Sequence, residues 1–330
     1  MSKDSQVGDM ERSLAIRAAW LHYVGGLTQA NVAKRLGVPS VKAHRLIARA
    51  VAVGAVKVNV DGDIIECIEL ENALSVRFSL DTCEVAPDLG EEGLPVRTLG
   101  RAGAARLRRW LESGEELIIG IGHGRTLAEA VRTMSRFDTH GLRFVSLLGG
   151  LTRNYSANPH DVMHMLAEKT GAQAYVMPVP FFANSAEDRE VLLSQRGVAE
   201  VFQMAEQAPL KIIGIGTVET DTTLVTSGMI EPGEIEEISR SGGVGEMLGH
   251  FFDSDGRNLE TPLTSRTLSV SLDHAHNDRI IALAGGEEKV AAIRAVLNSG
   301  RLSGLITDER TAKALLADWD MRPLKAPKTK

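Results

Sequence analysis

Apolar residues in the first fifty positions recur at intervals of three and four, and from about residue 76 they gather into short unbroken runs. The chain therefore reads as two differently built parts. In the first part, Leu14, Ala18 and Leu21 mark one helical face. Thr28 then offers a side-chain oxygen as an N-cap, and Ala30, Val32, Ala33 and Leu36 follow at helical spacing until Gly37 stops the helix. Gly37-Val38-Pro39 makes a tight corner with an inward-facing valine, and a further helix starting near Ser40 carries Ala43, Leu46, Ile47 and Ala50 on its apolar face. The pattern predicts a trihelical unit whose last two helices form a helix-turn-helix, which can lay its second helix in a DNA major groove. After it, the alternation Val56-Lys57-Val58-Asn59-Val60, the turn Asp61-Gly62-Asp63 and the pair Ile64-Ile65 predict a β-hairpin wing.

The second part repeats an apolar strand, a glycine turn and a helix. Leu117–Gly122 runs into Thr126–Val131, Arg143–Leu148 into Gly149-Gly150, and Lys211–Gly216 echoes the first strand. Arg279–Ala284 ends in Gly285-Gly286 before a helix over Glu287–Leu297. Such alternation predicts an α/β fold, a doubly wound parallel sheet covered on both faces, which binds ligands beyond the carboxyl ends of its strands. Residues 1–60 are thus read as the DNA-binding domain, 61–75 as wing and linker, and 76–330 as an effector-binding and oligomerisation domain.

Charge sharpens the division. Residues 1–60 hold nine Lys or Arg against three acids, net +6, with no Asp or Glu from Arg12 to Val60, whereas residues 61–330 hold 28 against 40, net −12. Contact with DNA phosphates rewards that segregation; a purely structural helix pair has no use for it. Thr28, Gln29, Lys34, Arg35, Ser40, Val41, Lys42, His44, Arg45 and Lys57 are the expected DNA contacts. Ser40, Val41, Lys42, His44 and Arg45 are suited to base edges, and Lys34, Arg35 and Lys57 to phosphates. With 43% hydrophobic and 24% charged residues the chain is globular. It has no apolar run of eighteen residues, and its amino terminus lacks a signal-peptide core, so a cytoplasmic location without membrane contact is expected. Cys67 and Cys83 stand outside any zinc or disulfide spacing.

The glycine turns at the strand ends are the candidate ligand site. Gly122-His123-Gly124-Arg125-Thr126 opens a helix, but the third glycine of a dinucleotide fingerprint is replaced by Leu127, and there is no P-loop. What remains is a loop of backbone amides that can cradle a phosphate or a cluster of hydroxyls, or that simply allows close helix–strand packing. Lys289, just after Gly285-Gly286, suits an anionic partner or is a surface lysine balanced by Glu287 and Glu288. Glu246, Asp253 and Asp255 follow the glycine loop Gly242–Gly245; they can accept from sugar hydroxyls or stand solvated in loops. The histidine pairs His160/His164 and His274/His276 lack a third ligand, so no metal or cofactor is expected, and no catalytic centre can be assembled.

The blocks LTQANVAKRLGVPSVKAHRL, GIGHGRTL, VSLLGG, KIIGIGT, GGVGEMLGHFFDSDG and IALAGGEEKVAAIRAVLNSGRLSGLITDERTAKALL, in this order, resemble the SorC family of sugar-responsive transcriptional regulators along nearly the whole chain. The resemblance implies a winged helix-turn-helix and an effector domain related to the sugar isomerase and deaminase fold, without its catalysis. It implies a homotetramer that binds operator DNA and a sugar, polyol or sugar phosphate. It maps the ligand site onto Gly122, Gly124, Arg125, Thr126, Gly149, Gly150, Glu246 and Lys289, beside His123 and Asp253. The run PSVKAHRLIARA resembles the erythritol-catabolism repressors of the family, which points to a repressor with a polyol effector. The alternative is a sugar-phosphate isomerase-like enzyme carrying a DNA-binding module.

Overall fold

The computed structural model describes residues 3–56, 64–115, 117–139, 141–150, 162–272 and 278–317. The chain divides into two compact units, residues 1–62 and 63–330. The first unit contains α1 (Lys3–Ala19), extended by a π-type turn over Trp20–Val24, then α2 (Gln29–Leu36) and α3 (Ser40–Ala52). Thr28 caps α2 by accepting from the Asn31 amide, and Gly37, at φ +66°, ends it. The Val38 amide then donates back to Ala33, closing the corner that the tripeptide predicted. Ala15, Ala18, Leu21, Val32, Ala33, Ala43, Leu46, Ile47 and Ala50 form the core. Most of them are alanine, so the helices pack closely and the unit stays small.

Residues 57–63, and with them Lys57 and most of the expected wing, lie outside the described residues. The expected second wing strand and linker are corrected by the structure: Ile65–Phe78 is a helix, α4. Cys67, Leu70 and Leu74 recur on one face of it and are buried in the core of the second unit. That three-and-four spacing outweighs the two-residue apolar run Ile64-Ile65, and Ile65 is 70% exposed.

In the second unit α4 leads to β1 (Thr82–Ala86), α5 (Val96–Ser113), β2 (Ile118–Ile121), α6 (Arg125–Thr133), β3 (Arg143–Ser146), α7 (Val162–Thr170) and β4 (Gln173–Tyr175). Next come α8 (Ala186–Leu193), α9 (Arg196–Glu206), β5 (Leu210–Ile213), β6 (Gly216–Thr217), α10 (Thr223–Thr226) and α11 (Pro232–Arg240). The last elements are β7 (Gly245–Met247), β8 (His250–Phe252), β9 (Arg279–Leu283), α12 (Val290–Asn298), β10 (Gly304–Asp308) and α13 (Glu309–Leu316).

Seven strands form one parallel sheet in the order β1-β10-β9-β5-β2-β3-β4. Successive residues of a strand serve opposite cores: Ile280 and Ala282 of β9 join Leu74, Val296 and Leu315, while Ile281 and Leu283 join Leu107, Leu127 and Val131. Both faces are therefore covered, which is why each strand reads as an unbroken apolar run. All four predicted strands are present. Three others, β1, β4 and β10, and the antiparallel sheet β6-β7-β8 are additional to the sequence reading. Among the described residues no helix is long and apolar enough to cross a membrane.

Candidate functional site

The parallel strands β9, β5 and β2 lie side by side, so the turns after them emerge together at one edge of the sheet. After β2 come Gly122–Gly124, with α6 opening at Arg125. After β5 come Gly214 and Ile215. After β9 come Gly285 and Gly286, then a single 3-10 turn over Glu287–Lys289 that precedes α12. These turns enclose a cavity of about 440 Å³, walled also by Glu246 and Leu248 of the β7–β8 hairpin and by the segment from Thr217 to Thr226. A cavity of that size suits a small ligand, at the edge where open parallel sheets bind theirs.

Of the expected ligand residues, the structure brings His123, Gly124, Arg125, Thr126, Glu246 and Lys289 together around this cavity. Gly122 sits behind the loop, its amide bonded to the Ile212 carbonyl. Gly149, Gly150 and Asp253 are elsewhere. The Gly149 and Gly150 amides donate to the Leu268 and Val179 carbonyls, and the Pro180 backbone leaves no room for a side chain at 149, so Gly149 permits close backbone packing. Asp253 accepts from the Asp255 and Arg257 amides and closes a turn.

Thr217, Glu219, Asp221, Thr222 and Leu248 were missed as lining residues. The signal was available, since the polar run Glu219-Thr220-Asp221-Thr222-Thr223 follows the end of a predicted strand. His164 is exposed on α7, and His160, His274 and His276 lie outside the described residues. Among the described residues no cluster of His, Cys, Asp or Glu could hold a metal ion.

Burial governs the electrostatics of the cavity. Glu246 is 5% exposed; desolvation pushes its carboxyl up to about 7, against the opposing pull of the Gly249 amide, 2.6 Å from Oε1, and of Lys289. Desolvation also holds His123 down to about 4, assisted by the Lys289 charge, so its ring is neutral at physiological pH. Lys289 is lowered by desolvation and by Arg125, and its Nζ donates to the Ile215 carbonyl at 2.8 Å. His123 Nδ1 and Thr222 Oγ1 are buried without a hydrogen-bond partner, a costly state that a ligand hydroxyl at either atom would relieve. The cavity thus offers four carboxyl groups, Glu219, Asp221, Glu288 and the buried Glu246, against one engaged ammonium and one exposed guanidinium, with several neutral polar atoms between them.

In the first unit Thr28, Gln29, Lys34, Arg35, Ser40, Val41, Lys42, His44 and Arg45 are all exposed. Lys42 and Arg45 stand on α3 beside Val41, which is 72% exposed, while Lys34 and Arg35 flank the corner from the last turn of α2. The Thr28 hydroxyl is partly occupied by its capping bond.

Residues 62–317 match the family described as "Putative sugar-binding domain". The chain is 68% identical over 310 residues to the erythritol catabolism regulatory protein EryD of Brucella abortus (strain 2308), covering 94% of this chain and 98% of that one. It is 34% identical over 313 residues to the transcriptional regulator LsrR of Klebsiella pneumoniae, covering 93% and 94%. The full-length sorbitol operon regulator SorC from Klebsiella pneumoniae shares the fold, with a TM-score of 0.67 at 23% identity over 92% of this chain and 99% of that one. These relatives are named as regulators, which sets aside the isomerase-like enzyme. On this match, which spans both units, the chain belongs to the SorC family of sugar-binding transcriptional regulators, in its erythritol-catabolism branch.

Proposed function

We propose that this protein represses a polyol-catabolic operon, holding operator DNA through α3 and releasing it when a small neutral polyol of the erythritol type enters the cavity at the strand ends. The observation that carries the effector class is the charge of that cavity: Glu219, Asp221, Glu246 and Glu288 line it against Arg125 and Lys289. Lys289 is already engaged with Ile215, and His123 is neutral. A dianionic phosphate would meet more carboxylates than cations, whereas hydroxyls donate to carboxylates and accept from Lys289, Arg125 and loop amides. The erythritol-catabolism name of the 68% identical relative supports the same class.

The acid-free segment Arg12–Val60 and the exposed cations of α2 and α3 support operator binding through Thr28, Gln29, Lys34, Arg35, Ser40, Val41, Lys42, His44, Arg45 and Lys57. The second unit is a non-catalytic relative of the sugar isomerase and deaminase fold, and the regulator works in the cytoplasm as a homotetramer, since pairing of symmetric half-sites gives a helix-turn-helix its specificity.

A thermal-shift screen of tetritols, pentitols and their phosphates, followed by operator release, tests the effector class, because a ligand of the folded state raises the melting temperature. An unphosphorylated polyol is expected both to raise it and to release operator. A phosphorylated compound that does so while its parent polyol is inert would replace this reading.

A further inference from the structure

His44 is exposed near the start of α3, and its Nδ1 lies 3.3 Å from Oε1 of Gln29, the first residue of α2. An amide oxygen can only accept, so in the neutral ring the proton of this pair sits on Nδ1. Nε2, on the opposite edge of the ring, is then left with a lone pair and no hydrogen. Its neighbours on the same exposed stretch have the opposite character. Lys42 and Arg45 can only donate, no Asp or Glu occurs from Arg12 to Val60, and Glu11, just before that stretch, is paired with Arg49 further along α3, so the stretch itself holds no carboxylate to accept from a base amine.

We propose that His44 reads the operator as a hydrogen-bond acceptor through Nε2, selecting a base pair that presents an exocyclic amine in the major groove, cytosine N4 or adenine N6, and that Gln29 is the positioning residue that sets its tautomer. This rests on α3 being the DNA-reading helix. The opposite tautomer, with the proton on Nε2, would make the same side chain a donor to guanine O6 or N7. The identity of one base in each half-site therefore follows from a contact between α2 and α3, not from α3 alone.

Two measurements on the full-length chain test this. The first is long-range ¹H–¹⁵N correlation on protein labelled at histidine, with the His44 signals assigned by their loss in His44→Ala. It should show the proton on Nδ1 in the parent and on Nε2 in Gln29→Leu, an exposed change that leaves the core of the unit intact. The second starts from an operator recovered by selection from a randomised duplex library. Replacing the base at the His44-dependent position by an analogue lacking its exocyclic amine should weaken the parent roughly five- to tenfold, the worth of one hydrogen bond, and leave His44→Ala unaffected. A 7-deaza purine in the same base pair should affect neither protein.

A proton on Nε2 in the parent, or a loss on removing N7 in place of the amine, overturns the assignment of His44 while leaving DNA binding standing. A protein that selects no DNA from the library overturns the DNA-binding reading itself, and this proposal with it.

Discussion

Glu246 shows how burial sets the charge of one side chain in the cavity wall. A glutamate ordinarily ionises near 4.5, whereas burial holds this one protonated up to about 7. Between those values the folded protein keeps a proton that the unfolded chain has released, so stability falls as pH rises through the window, and the deficit is complete above it. Glu246→Gln removes the deficit. Denaturant unfolding should find the variant more stable than the parent by about 1–3 kcal/mol at pH 8, since each pKa unit is worth about 1.4 kcal/mol, and little changed at pH 4.5. An offset equal at both pH values would mean that the carboxylate charge is not its source. Lys289 makes the complementary case, as its ammonium bonds a loop carbonyl at the cavity wall. Lys289→Ala should leave operator affinity intact and weaken the effector's ability to reduce it, in a titration of operator complex with effector. A variant that responds like the parent would remove Lys289 from the site. Lys289 and Glu246 were both legible as candidates from their places beside glycine turns, but their burial, and so their perturbed charge, was not.

At the scale of an element, the β7–β8 hairpin places Glu246. Its turn holds Leu248 at φ +54° and Gly249 at φ +76°, both left-handed, as a two-residue hairpin turn of this kind requires. Leucine in that region is strained, and here it is 3% exposed and part of the cavity wall. Gly249 has no alternative: a Cβ would meet Thr267 Cγ2 at 2.5 Å and Phe181 at 2.9 Å. Gly249→Ala should therefore destabilise the protein by about 1–3 kcal/mol. Because the Gly249 amide also holds Glu246, effector affinity should fall with it. Calorimetry and effector titration at a temperature where the variant is folded check the two effects separately, and unchanged affinity would detach the turn from the site. The hairpin escaped the sequence reading because strands of three residues are too short to show a period. Helix α4 escaped for another reason: its face of Cys67, Leu70 and Leu74 was periodic, but the turn-like Asp61-Gly62-Asp63 before it suggested a hairpin.

For the whole molecule, the segregation of charge predicts two different responses to salt. Operator binding through residues 1–60, of net charge +6, should weaken steeply as salt rises, because each neutralised phosphate releases counterions. Binding of a neutral polyol should barely change, and measuring both affinities between about 50 and 200 mM salt separates it from a phosphorylated effector. Effector affinity that falls in parallel with operator affinity would argue for an anion in the cavity.

Much of this organisation was written in the chain. The α2–α3 pair and its corner depend on local chemistry, namely the Thr28 cap, the left-handed Gly37 and the apolar faces of Val32-Ala33 and Leu46-Ile47. The four predicted strands announced themselves as unbroken apolar runs because both faces of the sheet are covered. Such properties lie within about ten neighbouring residues, and sequence alone determines them. Tertiary structure decided what depends on residues far apart in the chain. It buried Lys211, which opens a predicted strand, to 1% exposure and satisfied it with Asp278 and the carbonyls of Glu206 and Ala208. It turned Gly149 toward backbone packing, and it drew Thr222, Glu246 and Lys289 into one cavity with the turn after β2. Burial, and with it pKa and the membership of a site, is a property of the assembled neighbours, which no local pattern encodes.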